Sequence, residues 1–246
     1  MAKQAGIIPF VGTIGGINFY YLNGKPVARQ AGGGFNGKAI KTKASMQRVR
    51  ENASEFGHCS GVNKAFREAL IPFYKGYTFT HFHSRLMRLF SKLKNMDLVN
   101  KRGERLVANG VSGANGLALL RGFKYTPDCD VKAMIPFGYA VASGSYALTI
   151  SDFDIKQVRF INGATHIELI YGVLDFDFTG LNHELYMADS VVLDKMFAGG
   201  SVVLTPNVPV QTGGIRLSVL SIRFYQEVDG TLNILKAKNG IGLMVL

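Results

Sequence analysis

Alternation is the first pattern the chain shows. Ile17, Phe19 and Tyr21 stand two apart, Asn23-Gly24 follows as a two-residue turn, and residues 25–29 run back, which predicts a β-hairpin over 6–29. A lone hairpin buries too little to be stable, so it needs the chain's main sheet or a neighbouring subunit. The period then lengthens. Ser45 as N-cap, Met46, Val49, Ala53 and Phe56 on one stripe and Gly57 as stop predict a helix over 45–56. Val62, Ala65, Phe66, Ala69 and Leu70 predict a second over 61–71, ending before Pro72. Phe82, Leu86, Leu89, Phe90 and Leu93 predict a third over 81–95.

Beyond Lys101-Arg102-Gly103 the period returns to two. Alternating segments occupy 117–125, 133–142, 146–150, 155–161, 166–178, 186–193, 201–205, 215–226, 231–236 and 241–245, separated by Gly-containing turns such as Asn162-Gly163, Asp229-Gly230 and Asn239-Gly240. Short strands at this spacing predict an antiparallel sandwich, barrel or jelly roll. Within 166–178 the apolar phase flips, from Ile167, Leu169 and Tyr171 to Leu174, Phe176 and Phe178, which predicts a bulge or bend near Gly172. The expected fold is α+β, mainly β. It comprises an N-terminal β-hairpin and Gly-rich linker (1–37), a basic helical segment (38–105) and an antiparallel β-sandwich, jelly-roll-like (106–246). No internal repeat points to a solenoid or propeller.

Charge changes the picture. Through Arg105 the chain carries 18 Lys and Arg against 5 Asp and Glu, a net of +13; the rest carries 10 against 12, a net of −2. Such asymmetry points to a polyanionic partner. Arg85, Arg88 and Lys92 recur at i, i+3 and i+7 and share one helical ridge without interleaved carboxylates. With Arg48, Arg50, Lys101 and Arg102 they form the expected nucleic-acid-binding set, contacting phosphates with weak sequence preference and steep salt dependence. Tyr74, Tyr77, Phe79 and Phe82 offer stacking surfaces or core. At 246 residues and 47% hydrophobic, the chain has the length and composition to bury a full core. Cys59 and Cys129 fit no metal or redox spacing and read as buried free thiols. The N-terminus lacks a signal-peptide core and nothing approaches a membrane span, which predicts cytoplasmic synthesis, with a virion or released assembly as the destination.

Catalytic chemistry finds little footing. Gly32, Gly37 and Lys38 match part of a phosphate-binding loop, but Ala39 stands where a metal-binding Ser or Thr belongs, and a linker is the better reading. Asp175 with Asp177, and Asp152 with Asp154, pair at strand spacing; the first pair alternates with Leu174, Phe176 and Phe178 and reads as a solvent-facing row. His81 and His83 lack a third metal ligand, and no nucleophile elbow occurs. The expectation is a protein that is not an enzyme, with no cofactor and no metal.

The opening Met1-Ala2-Lys3-Gln4-Ala5-Gly6-Ile7-Ile8, continuing through Gly12-Thr13-Ile14-Gly15-Gly16-Ile17-Asn18-Phe19-Tyr20, resembles the start of a family of uncharacterised Bacteroidota proteins. Gln47-Arg48-Val49-Arg50-Glu51-Asn52 and Phe224-Tyr225-Gln226-Glu227-Val228-Asp229-Gly230 resemble that family too. The resemblance implies a bacterial, phage or mobile-element setting and carries over no activity and no site residue. Architecture, charge segregation and missing catalytic groups together predict a self-assembling structural protein, a homo-oligomeric coat or shell subunit of a virion-like particle with its basic part facing nucleic acid. The alternatives are a non-enzymatic nucleic-acid-binding protein and a filament subunit joined by β-strand addition. A carbohydrate-binding sandwich using Asn182, His183 and Tyr186 ranks below these.

Overall fold

Two tight turns build the first part of the chain. Gly15 and Gly16 have φ of 55° and 75°, and Asn23 and Gly24 have φ of 51° and 75°; positive φ at both central residues is what a type I′ hairpin turn requires. They join β2 (Gly12–Ile14) to β3 (Ile17–Leu22) and β3 to β4 (Lys25–Gln30). With β1 (Ala2–Lys3) these form a four-stranded antiparallel sheet of order β1-β4-β3-β2. The hairpin expected around Asn23-Gly24 is present, inside a sheet of its own. The computed structural model describes residues 2–4, 6, 8–31, 37–79, 81–211 and 213–246, so the glycine run at 32–36 lies outside the described residues. The chain divides into two units, Met1–Asn52 and Ala53–Leu246. The first also holds α1 (Gly37–Thr42) and a single 3-10 turn at Ala44–Met46.

A single helix, α2 (Gln47–Ala69), replaces the two expected over 45–56 and 61–71, and it runs straight through Gly57. One helical glycine costs about 1 kcal/mol, less than the helix recovers by burying Cys59, Val62, Phe66 and Ala69. Phe56, expected on the buried stripe, is 61% exposed. The buried stripe instead includes Glu55 and Asn63, polar residues that hide the period from a hydrophobicity reading.

α3 (Ile71–Tyr74) and α4 (Phe82–Asn95) follow, the latter within one residue of expectation and burying Phe82, Leu86, Leu89, Phe90 and Leu93. Residues 106–134, expected to open the sandwich, are largely helical: α5 (Val107–Ser112), α6 (Ala114–Arg121) and α7 (Val131–Met134). The alternation read as a strand over 117–125 is a short apolar run, which periodicity alone cannot assign. Close approach fixes this packing: a Cβ on Gly110 would sit 1.8 Å from the Leu93 carbonyl oxygen.

The strands of the second unit form two antiparallel sheets. The larger contains β7 (His166–Phe176), β8 (His183–Met187), β9 (Val191–Asp194), β11 (Ile215–Val228), β12 (Thr231–Ile234) and β13 (Ile241–Val245). The smaller has the order β10-β6-β5, from β5 (Tyr139–Val141), β6 (Leu148–Phe153) and β10 (Gly200–Leu204). Residues 155–161, expected as a strand, begin with a 3-10 turn at Ile155–Gln157, where the Asp154 carboxylate accepts the Lys156 N–H. The class is α+β, with a β-sandwich at its centre.

Three layers result. Phe66, Phe90, Leu174, Phe176, Leu217 and Val219 lie in the core between the helices and one face of the large sheet. Ile150, Phe153, Leu169, Leu220, Ile222 and Phe224 lie in the core between its other face and the small sheet. Helices 53–125 and the strands after 135 thus share a packing unit, and the boundary at 52/53 stands where 37/38 and 105/106 were expected.

Covering both faces explains the phase flip. β7 pairs with β11 from His166↔Tyr225 to Phe176↔Ile215 without a shift, so no bulge interrupts it there. Its odd residues from Ile167 to Val173 face the small sheet, and Leu174 and Phe176 face the helices. Gly172 is needed for room: a Cβ there would lie 2.8 Å from Met187 Sδ and 3.1 Å from the Phe73 ring.

Candidate nucleic-acid and assembly interface

The seven cations expected to contact phosphate have different fates. Arg48 Nη1 pairs with Glu51 at 2.8 Å. Arg50 donates to the carbonyls of Ile40 (2.6 Å) and Lys43 (3.0 Å), which ties α1 to the start of α2. Arg85 donates to the carbonyls of Lys124 and Tyr125, and its guanidinium lies 5.1 Å from the Phe123 ring centroid. It therefore leaves the ridge it was expected to share with Arg88 and Lys92, both of which are exposed on α4. Lys101 pairs with Glu104 at 3.2 Å, and Arg102 is exposed beside it in sequence.

Two buried carboxylates shape the loop that carries Lys101 and Arg102. Glu55 accepts a bidentate pair from Arg105, Nε at 2.7 Å and Nη2 at 2.9 Å, together with Lys94 and the Gly103 N–H at 2.8 Å. The Arg105 guanidinium foremost holds the Glu55 carboxyl down to about 2; burial opposes it, while Lys94 and Gly103 assist. Burial would raise Asp97, but the N–H groups of Leu106, Asn100 and Val99 and the Asn100 side chain hold its carboxyl well below the usual range. His58 Nε2 accepts the Val107 N–H at 3.0 Å, and burial pushes that imidazole's pKa down, favouring the neutral acceptor form.

The aromatics considered for stacking serve the interior. Tyr74, Phe79 and Phe82 meet edge to face at 5.2–5.9 Å. Tyr77 Oη lies 3.2 Å from the carbonyl oxygens of Leu235 and Gly240. Asp175, expected in a solvent-facing row, is buried and accepts the Gly214 N–H at 2.6 Å, because the face opposite Leu174 and Phe176 is covered too. Asp177 accepts the Thr179 N–H in a local turn. Asp175 and Asp177 line a polar cleft with Asn182, His183 and Glu184. Among the described residues no group of three or more His, Cys, Asp or Glu is placed to hold a metal ion, and no helix is long and apolar enough to cross a membrane. Cys59 and Cys129 are free and buried, and burial pushes the Cys129 thiol up to about 12.

The surface that sequence reasoning missed lies in the first unit. Residues 1–52 hold eight Lys and Arg against the single carboxylate Glu51, a net of +7 out of the chain's +11. The β1–β4 sheet carries three of these cations and sorts them by face. Cross-strand partners share a face, so Thr13↔Asn18↔Arg29, Tyr20↔Val27↔Lys3 and Leu22↔Lys25 place Lys3, Lys25 and Arg29 on one side. There the Arg29 guanidinium lies 5.5 Å from the Tyr20 ring centroid. The partners Ile14↔Ile17↔Gln30, Gly12↔Phe19↔Ala28↔Ala2 and Tyr21↔Pro26 occupy the other side, which carries no charge.

The uncharged side is short of cover. Ile14, Ile17 and Tyr21 are exposed, and Val27 on the opposite side is the one core side chain among the unit's described residues. The Gln4 side chain accepts the Phe10 N–H at 2.8 Å and donates to the carbonyls of Phe10 and Val27, which brings the Phe10 ring to 5.8 Å from Phe19. Of the seventeen large apolar side chains exposed among the described residues, seven fall within 8–22, each 43–75% exposed. The hairpin's alternation, with Lys25 and Arg29 in the phase opposite Ile17, Phe19 and Tyr21, was the available signal. No protein-family model, curated protein or solved structure matches the chain.

Proposed function

We propose that the protein is a self-assembling structural subunit, of the coat or shell type, whose first unit turns a basic face toward nucleic acid. The single observation that carries this reading is the two-faced β1–β4 sheet: an exposed apolar side that needs a protein surface and a cationic side suited to phosphates. The three-layer second unit supplies a rigid body for walls. Sheet edges only two and three residues long, β1 and β2, favour contact through faces over filament growth by strand addition. Light scattering and electron microscopy of the purified protein test the proposal. A large assembly of defined size is the expected result, and a monomer whose mass does not change with concentration sinks it.

A second reading, a nucleic-acid-binding protein that does not assemble, is favoured by Arg88 and Lys92, four apart on the exposed side of α4. It gives no role to the apolar side of the first unit's sheet, and so ranks second.

A further inference from the structure

We infer that the uncharged face of the β1–β4 sheet packs against the same face of a second copy, forming a two-sheet sandwich with Lys3, Lys25 and Arg29 directed outward on both sides. This deepens the assembly reading and rests on it.

Charge layout selects the occupant. The phosphates of a polyanion find no cation on a face bearing Ile14, Ile17, Phe19, Tyr21, Pro26 and Ala28, and a charged protein partner would leave its ions without counterparts there. A second copy brings a surface of matching chemistry. Although each first unit carries +7, its three strand cations project from the far side. Sheets packed face to face lie about 10 Å apart, so these cations end up on the two outer surfaces instead of confronting one another across the seam. Such a contact is isologous: one patch serves both partners and closes the pair by a two-fold axis. The cover that Ile14, Ile17 and Tyr21 lack then comes from the neighbour, and two basic surfaces face outward to receive phosphates.

Cysteine scanning on the full chain tests the inference. Single cysteines at Ile14, Ile17 and Tyr21 report the apolar face, and at Thr13, Asn18 and Tyr20 the basic one; Cys59 and Cys129 are buried. With a short bismaleimide, the first set should give covalent dimers at least tenfold faster than the second. Equal rates in the two sets overturn the proposal, as does an unlinked first set in a protein that stays folded by circular dichroism. The double variant Ile17→Lys, Tyr21→Lys should shift light scattering toward the monomer or smaller species while retaining the wild-type spectrum, and an unshifted mass also counts against it. The two proposals fail separately. Cross-linked pairs without a large assembly defeat the coat reading and keep the face-to-face contact; a large assembly without face-specific cross-linking does the reverse.

Discussion

The two units of this chain solve the burial problem in opposite ways. Residues 53–246 put a covered layer on each face of a central sheet, so β7 is almost continuously buried from Ile167 onward and β11 is buried without a break from Leu217 to Ile222. Residues 1–52 make a sheet with sound turns and register whose apolar side remains in water. Hydrogen bonding and turn chemistry can therefore specify a sheet completely without giving it a core. An uncovered apolar face in an otherwise ordered element is a statement about partners, whereas a doubly covered sheet is a statement about stability.

The contrast can be broken first at the centre of the second unit. Phe66 meets Phe90, Phe176 and Phe178 at ring distances of 5.3–6.0 Å and is fully buried. Phe66→Ala should cost about 4 kcal/mol in denaturant unfolding; a loss under about 1 kcal/mol would mean the helical layer is not packed as described.

Next in size is the buried clamp. Glu55→Gln leaves the Arg105 and Lys94 cations facing a neutral carboxamide in place of a carboxylate and should cost about 3 kcal/mol near neutral pH. Because the folded carboxyl is held at about 2, below its ordinary 4.5, its contribution is complete above about 4.5 and fades as pH falls toward 2. Wild type should lose stability across that window, and Glu55→Gln should lose less of it. Parallel pH profiles for the two proteins would remove the clamp from the account.

The smallest effect on stability belongs to the basic face. Lys25→Ala with Arg29→Ala should change unfolding by less than about 0.5 kcal/mol, yet lower the slope of log affinity against log salt for DNA or RNA by about 2, one for each phosphate that is no longer neutralised. Arg85→Ala should leave that slope unchanged, since its guanidinium is engaged with the Lys124 and Tyr125 carbonyls. The opposite ranking would return phosphate binding to the helical ridge.

Local chemistry in the sequence announces much of this molecule. Asn23-Gly24, the stripe from Phe82 to Leu93 and the long alternations before Phe176 and Val228 can each be read within a dozen residues. What escapes such reading depends on distant partners. Glu55 looks like a surface residue until Arg105 arrives fifty positions later to neutralise it, and Arg85 looks free until carbonyls at 124 and 125 claim it. Asp175 reads as solvent-facing only for a sheet covered on one side, and the second covering layer is assembled from segments whose apolar spacing alone does not say which face they will cover. The candidate interface was legible in the parity of Lys25 and Arg29, but summing charge over a hundred residues blurred it into the helices.

That parity rests on the two tight loops at Gly15-Gly16 and Asn23-Gly24. Because successive strand side chains point to opposite faces, a slip of a single residue at either loop exchanges the contents of a strand's two sides. Cations would then sit among Ile14 and Phe19, and aromatic rings would look toward the solvent. Loop length thus acts as a checksum on the whole sheet: an insertion or deletion at these four positions would scramble its apolar and its cationic side at once.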